Sequence, residues 1–250
     1  MIDSKNLVLF ESMLAAGGLV FLGARHLRRL YGSAKSLGFP TDRLEAFKAV
    51  MQLDSMSESQ ARDLREYAFS LESLASFDFR NPICKNLWIQ LSSVAALEID
   101  PTPSMLRLKL DKLGQLAWEV SSLSQSPSNR IFLASTPLPS NAILLCHKTS
   151  SRECYDLAAS SIARGECFDI AYFNEEGALR EGSRSSIVVR LDSGFYTPPK
   201  SSGLLPGTLR GLLLDCKICE EKRLDRADIL RAKAIFCINS VRGIVEVSLK

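Results

Sequence analysis

Lys148 stands in His147-Lys148-Thr149-Ser150-Ser151-Arg152, and Glu181 opens Glu181-Gly182-Ser183-Arg184-Ser185-Ser186. Two further strings follow: Leu204-Leu205-Pro206-Gly207-Thr208-Leu209-Arg210 and, near the end, Ile238-Asn239-Ser240-Val241-Arg242-Gly243. A lysine amine that is partly desolvated loses its proton more readily and can attack an aldehyde. A carboxylate beside a heteroaromatic nitrogen keeps that nitrogen protonated, so the ring can draw electrons. A glycine before a helix start lets backbone N–H groups close on a phosphate, with the helix dipole behind them. Each piece alone has an ordinary counterpart: a surface lysine at a strand end, an exposed turn glutamate, a plain loop-to-helix cap. The ordered set is far more specific than any member of it.

The elements expected to position these residues follow from apolar periodicity and turn signals. Leu7 to Met13 and Leu19 to Leu22 read as strands joined at Gly17-Gly18. A helix is expected from Gly23 to Leu37, with Leu27, Leu30, Ala34 and Leu37 as its apolar stripe and His26, Arg29 and Ser33 on a neighbouring face. That puts Arg29 at the edge of the core. Pro40-Thr41-Asp42 opens a second helix, and Ser57-Glu58-Ser59-Gln60 reads as the capping box of a third. Strands are expected at Ser104 to Leu110 and Leu116 to Ser122. The serine-rich run Ser121 to Asn129 reads as a linker. The domains are therefore drawn at 1–122 (small α/β), 123–129 (linker) and 130–250.

Beyond the linker, strands are expected at Ile131 to Ala134, Cys167 to Phe173, Ser186 to Leu191 and Ala234 to Ile238. Turns fall at Asn174 to Gly177 and Asp192 to Gly194. Helices are expected at Ser151 to Ala163, Thr208 to Leu214 and Arg226 to Ala232. Closely spaced strands with few helices suggest a barrel-like second domain. The apolar run Ala142 to Cys146 reads as a buried strand with Lys148 at its mouth, and Glu181 as a residue after a turn.

Composition narrows the classes of function. With 250 residues, 46% hydrophobic and 24% charged, the chain can bury a full core. A net charge of +3, from 31 basic and 28 acidic residues without a basic block, argues against a nucleic-acid partner. No apolar run approaches a membrane span, and the start lacks the pattern of a signal peptide. Seven cysteines, an odd count, form no disulfide framework and suggest reduced thiols, so a cytoplasmic protein is expected. Cys216-Lys217-Ile218-Cys219 has no second ligand pair, so no metal site is expected and the two thiols read as small apolar residues on one helix.

These residues resemble the fold-type IV pyridoxal phosphate enzymes, the class IV aminotransferase-like family. The likeness runs from Leu9-Phe10-Glu11-Ser12-Met13 and His26-Leu27-Arg28-Arg29-Leu30 through the lysine and glutamate motifs. It continues through Tyr196-Thr197-Pro198-Pro199 and Gly203 to Thr208, and ends at Ile238 to Gly243. Within the family it is greatest to the 4-amino-4-deoxychorismate lyases, the Asn239 to Gly243 string tilting it that way, and especially to the lyase portion fused behind aminodeoxychorismate synthase in some bacteria. The resemblance implies a small N-terminal α/β domain and a C-terminal pseudo-barrel domain, with pyridoxal 5′-phosphate as cofactor. Lys148 would form the Schiff base and Glu181 would partner the pyridine nitrogen. Arg29, Ser240 and the backbone N–H groups of Thr208 and Leu209 would hold the phosphate, and Leu205 would pack on the ring. Ser12, Arg107, Val241 and Arg242 fall at substrate-facing positions.

The implied activity is cleavage of 4-amino-4-deoxychorismate to 4-aminobenzoate and pyruvate in folate synthesis, by a homodimer, with an aminodeoxychorismate synthase as a partner. The alternative in the same fold is a transaminase of D-amino acids or branched-chain amino acids. The chain departs from the family where Ser151 and Ser186 replace asparagines, and the family's usual first strand and glycine-rich approach are not matched ahead of Phe10-Glu11. These departures motivate a second class, a non-catalytic relative.

Overall fold

The computed structural model describes residues 6–53, 61–62, 88–90, 97–124 and 126–250. The chain falls into two compact units. The first comprises Met1–Gln60, Phe77–Ser124 and His147–Ser151; the second comprises Ala61–Ser76, Gln125–Cys146 and Arg152–Lys250. The segment carrying Lys148 thus belongs, by its contacts, with the N-terminal elements. The capping box at Ser57 to Gln60 and its expected helix lie outside the described residues, as does most of the stretch between 80 and 97.

In the first unit, β1 (Leu9–Ala16), β2 (Leu19–Phe21), β3 (Trp88–Gln90), β4 (Ser104–Leu110) and β5 (Leu116–Ser122) form one antiparallel sheet in the order β3-β2-β1-β4-β5. Gly17-Gly18 makes the two-residue connection expected between β1 and β2, closing on the pair Ala16 and Leu19. Strict alternation sorts β1: Leu9, Glu11, Met13 and Ala15 are buried, whereas Phe10, Ser12 and Leu14 are half-buried on the other face. The helix α1 (Gly23–Ser36) packs on β1 through Leu27, Leu30 and Ala34, each 1% exposed or less. Leu37, expected to close the stripe, lies past the helix end and is only half-buried. The helix expected after Pro40 is two short pieces, α2 (Asp42–Glu45) and α3 (Lys48–Gln52).

β2 covers only the far end of β1, so the near end keeps one unpaired edge. The segment after His147 fills it. Lys148 O accepts from Phe10 N at 3.0 Å, Ser150 N donates to Val8 O at 2.8 Å, and Leu9 bridges Thr149 in antiparallel fashion.

In the second unit, an eight-stranded sheet has the order β11-β10-β9-β12-β13-β6-β7-β8. Its strands are β6 (Arg130–Leu133), β7 (Asp169–Phe173), β8 (Leu179–Gly182), β9 (Ser186–Leu191), β10 (Gly194–Thr197), β11 (Glu220–Glu221), β12 (Ala234–Asn239) and β13 (Gly243–Leu249). The sheet curls, because β8 at one edge runs through a tight turn straight into β9, third from the other edge; Gly182 N donates to Ser185 O at 2.8 Å. Ile187, Val189, Leu179, Leu224 and Cys237 fill its interior. The helices are α4 (Asp156–Ala163), α5 (Thr208–Asp215) and α6 (Arg226–Leu230), the last opened by a reciprocal capping box between Asp225 and Asp228.

Two expectations need correction here, those for the Ala142 to Cys146 run and for the Cys216/Cys219 pair. Ile143–Cys146 is a 3-10 turn with no buried residue, Ile143 being 66% exposed, so Lys148 does not follow a buried strand. Glu181 follows the Asn174 to Gly177 turn and precedes the strand from Ser186, as expected, and it lies inside β8, which is buried along its whole length. Cys216 caps α5 and Cys219 lies beyond it, so the two thiols do not share a helix; both are buried and neither is in a disulfide.

Candidate active site

The first unit supplies an amine and several cations, each held by the sheet or by α1. Lys148 Nζ lies 4.8 Å from the centre of the Phe10 ring, and the Arg107 guanidinium lies 5.4 Å from the same ring. Phe10, Ser12 and Arg107 share one face because Ser12 is the register partner of Arg107 across β1 and β4. Arg107 Nε approaches Ser12 Oγ at 3.4 Å and pairs loosely with Glu119 at 3.5 Å. His147, next to Lys148, bonds through Nδ1 to Ser33 Oγ of α1 at 2.8 Å. The lysine segment is therefore tied to β1 by its backbone and to α1 by its histidine.

On the opposite face of β1, Glu11 accepts from Arg29 Nε at 2.8 Å, from Arg29 Nη2 at 2.6 Å and from His26 Nδ1 at 2.7 Å. Burial pushes the Glu11 carboxyl up; the charge and hydrogen bonds of Arg29, together with the His26 bond, outweigh it and hold the carboxyl at about 2. Burial also lowers His26, which donates as a neutral ring. So Arg29, read from sequence as a phosphate ligand, is oriented by a fully buried carboxylate.

The second unit supplies an acid, a helix start and a turn. Glu181 is 6% exposed. Its Oε1 accepts from the Tyr155 hydroxyl at 3.0 Å and its Oε2 from Leu205 N at 3.1 Å. Burial raises its carboxyl to about 7, against the lowering effects of the Tyr155 bond, the Arg180 charge and the Leu205 N–H. The turn that follows Glu181 is gathered by buried Asp169, which accepts from Ser183 N, Ser183 Oγ, Arg184 N and Ser185 Oγ. Arg180 is fully buried and donates to Pro139 O and Gly203 O, stapling the loop that presents Leu205.

Gly207 is the N-cap of α5, and Thr208 and Leu209 are its first residues, as expected. A Cβ at Gly207 would stand 2.5 Å from Ser186 Oγ. Glycine thus lets the backbone approach the Ser186 hydroxyl closely at a helix N-terminus, whose first N–H groups, those of Thr208 and Leu209, are of the kind that hold a phosphate. Ser240, Val241 and Arg242 form the turn between β12 and β13. Asn239 Oδ1 closes it, accepting from Val241 N at 3.0 Å and Arg242 N at 2.8 Å. Asn239 Nδ2 also donates to Arg184 O at 3.3 Å. Burial lowers Arg242, the charge of Arg184 acting in the same direction.

Glu181 with Leu205, Ser186 with Gly207, and Val241 with Arg242 are thus brought together inside the second unit, and Ser12 with Arg107 inside the first. Sequence reasoning passed over Glu11, Tyr155, Asp169 and the positioning part of His147. Glu11 had a signal: alternation in Leu9-Phe10-Glu11-Ser12-Met13 puts it on the core face, where an acid must be paired. Tyr155 and Asp169 had none, since their partners lie far along the chain. No group of acidic, histidine and cysteine side chains among the described residues could hold a metal ion, and no described helix is long and apolar enough to cross a membrane.

The model of the family Amino-transferase class IV matches residues 8–249, and the chain belongs to that family. Its fold is that of the fold-type IV enzymes, and its cofactor is pyridoxal 5′-phosphate. A Mesorhizobium loti structure assigned as an amino-acid aminotransferase is similar at 28% identity and TM-score 0.69, covering 98% of this chain and 100% of its own. A Legionella pneumophila structure assigned as a 4-amino-4-deoxychorismate lyase is similar at 21% identity and TM-score 0.69, covering 100% of this chain and 86% of its own. A Mycobacterium tuberculosis structure assigned as an aminotransferase, in its pyridoxal-phosphate-bound form, is similar at 19% identity and TM-score 0.69, covering 100% of this chain and 82% of its own. At 21% and 19%, these last two establish the fold alone. Comparison with curated proteins gives no match.

Proposed function

We propose that this chain is a 4-amino-4-deoxychorismate lyase, releasing 4-aminobenzoate and pyruvate. The observation that carries the reading is the Asn239 to Gly243 turn. Its asparagine side chain holds Val241 and Arg242 in a fixed loop, and that loop is where the sequence most resembles the lyases. Lys148 is the amine that holds the cofactor and Glu181 the partner of its ring nitrogen. The N–H groups of Thr208 and Leu209, with Ser240 and Arg29, are its phosphate ligands, and Leu205 packs against its ring. Bound there, the cofactor supplies an electron sink for charge developed on the substrate carbon.

The residues of the chain do the rest. Lys148, which would hold the cofactor, would also serve as base, its free amine taking the proton from the substrate carbon that bears the amine. The adjacent carbon–oxygen bond breaks with its electron pair on oxygen, and the enolpyruvate released takes up a proton at carbon to become pyruvate. The six-membered ring left behind is aromatic, which drives the step. Arg107 and Arg242 hold the two carboxylates of the substrate, Arg242 as a charge-assisted donor from a rigid turn, and Ser12 and Val241 line its position. The working form is a homodimer, supplied by an aminodeoxychorismate synthase.

A second reading is favoured by the Mesorhizobium loti likeness: an aminotransferase acting on D-amino acids or branched-chain amino acids. The two separate cleanly. Pyruvate formed from 4-amino-4-deoxychorismate alone supports the lyase. Conversion of the cofactor to its amine form by an amino acid, without added keto acid and without pyruvate from aminodeoxychorismate, supports the aminotransferase and overturns the lyase.

A further inference from the structure

We propose that Tyr155 is a positioning residue for the reaction: its hydroxyl fixes the Glu181 carboxylate as the acceptor for the ring-nitrogen proton, on the reading that Glu181 partners the ring nitrogen of the cofactor. The contact is direct and buried, Tyr155 Oη to Glu181 Oε1 at 3.0 Å, with Tyr155 4% exposed. The other oxygen is taken by Leu205 N at 3.1 Å, so each carboxylate oxygen has one donor and the plane of the group is set. Tyr155 cannot easily swing away. Its ring meets Tyr172 edge-on at 5.0 Å and 83°, and the Arg152 guanidinium covers it at 4.6 Å.

The direction of the effect follows from what surrounds the pair. Arg180 acts on Glu181 from its own strand, Arg152 and Tyr155 from the segment around the start of α4, and the Cys146 thiol faces it with its own proton held on by burial. Burial works against the carboxylate, and the Tyr155 bond is the largest influence working for it. Tyr155 is itself pushed far up by burial and by the Glu181 charge, so it stays a donor at every physiological pH. A proton shared between a ring nitrogen and a carboxylate rests on the stronger base. A donor on Oε1 weakens the carboxylate as a base and leaves the proton on nitrogen, where it draws electrons. Without that donor the proton moves to Glu181 and the ring is a poorer sink.

The test starts with cofactor-free protein. Infrared difference titration follows the Glu181 carboxyl band, identified by its loss in Glu181→Gln, and should place its midpoint at about 7. In Tyr155→Phe the midpoint should rise by about one pH unit. Tyr172→Phe, which removes from the stacked ring a buried hydroxyl with no hydrogen-bond partner among the described residues, should leave it in place. Placing 3-fluorotyrosine at position 155, a stronger donor of the same shape, should lower it, and keeps the test open if Tyr155→Phe does not fold. A midpoint that ignores both changes overturns the proposal. The second arm uses protein loaded with ring-nitrogen-labelled pyridoxal phosphate. In Tyr155→Phe the nitrogen NMR signal should move toward the unprotonated position, with kcat down about tenfold and KM little changed. If the carboxyl titration shifts as expected but the nitrogen signal is unmoved in both Tyr155→Phe and Glu181→Gln, the bond is real. In that case Glu181 is not the nitrogen's partner, and the role in the reaction fails with that reading.

Discussion

Arg29 grips Glu11 with two prongs, Nε to Oε1 at 2.8 Å and Nη2 to Oε2 at 2.6 Å, and Glu11 is 1% exposed. The pair has a pH consequence. The Glu11 carboxyl titrates at an ordinary 4.5 in the unfolded chain and at about 2 in the folded one. The unfolded state therefore takes up the proton first, so the stability contributed is complete above 4.5 and is lost as the pH falls toward 2. His26, buried and neutral, adds a loss of the same sign below its ordinary 6.5. Glu11→Gln should cost about 3 kcal/mol at pH 7, at about 1.4 kcal/mol per pH unit, and flatten the acid limb of stability. Urea midpoints between pH 3 and 8 check this; an unchanged acid limb would contradict it.

Glu181 has the opposite dependence. Its folded carboxyl holds the proton up to about 7, above its ordinary 4.5. Stability is complete below 4.5 and is lost as the pH rises through 7, by about 3 kcal/mol at most. Glu181→Gln should therefore make the cofactor-free protein more stable at pH 8 while lowering its activity when loaded. Thermal unfolding at pH 5 and pH 8 measures it: the gain belongs at pH 8, and an equal gain at both values would rule out the carboxyl as its source.

Gly203 holds a left-handed backbone, φ +84°, with Ser140 O only 2.5 Å from where a Cβ would stand. Arg180 ties Gly203 O to Pro139 O, and the same loop presents Leu205 N to Glu181. Gly203→Ala should cost about 2 kcal/mol or more through strain and a backbone clash, and should weaken cofactor binding. Calorimetry with and without pyridoxal phosphate reads both effects. A variant as stable as the parent would show that the loop is not held as described.

Ser33 Oγ bonds His147 Nδ1 at 2.8 Å, beside Lys148. Ser33→Ala should lower stability by about 1 kcal/mol and kcat by about three- to tenfold, because the lysine segment loses its tie to α1. Steady-state kinetics with a melting curve would check it, and full kcat with a lowered melting point would leave the bond purely structural.

Much of this fold could be read from the chain because the controlling signals are local. The alternation in Ser104 to Leu110 and Leu116 to Ser122 predicts β4 and β5 to the residue, and Gly17-Gly18 marks the β1–β2 hairpin. The stripe Leu27, Leu30 and Ala34 locates α1. Ile143–Cys146 misled because a short apolar run carries no period, and only tertiary packing decides between strand and turn. β8 and β13 went unread although Gly243 to Leu249 alternates, since glycines and charges interrupt both. At the site, the motif residues were visible as types in order. Their holders were not: Tyr155 meets Glu181, and Asp169 meets Ser183 and Ser185, only through the fold. Which residues hold a site depends on long-range contacts, and these leave no spacing in sequence.

The account depends most on Lys148. Protein loaded with pyridoxal phosphate, reduced with borohydride and digested, should yield a single phosphopyridoxyl-bearing peptide with the label on Lys148, and Lys148→Ala should yield none and show no activity. A label on another lysine, or an unlabelled and fully active Lys148→Ala protein, would contradict it.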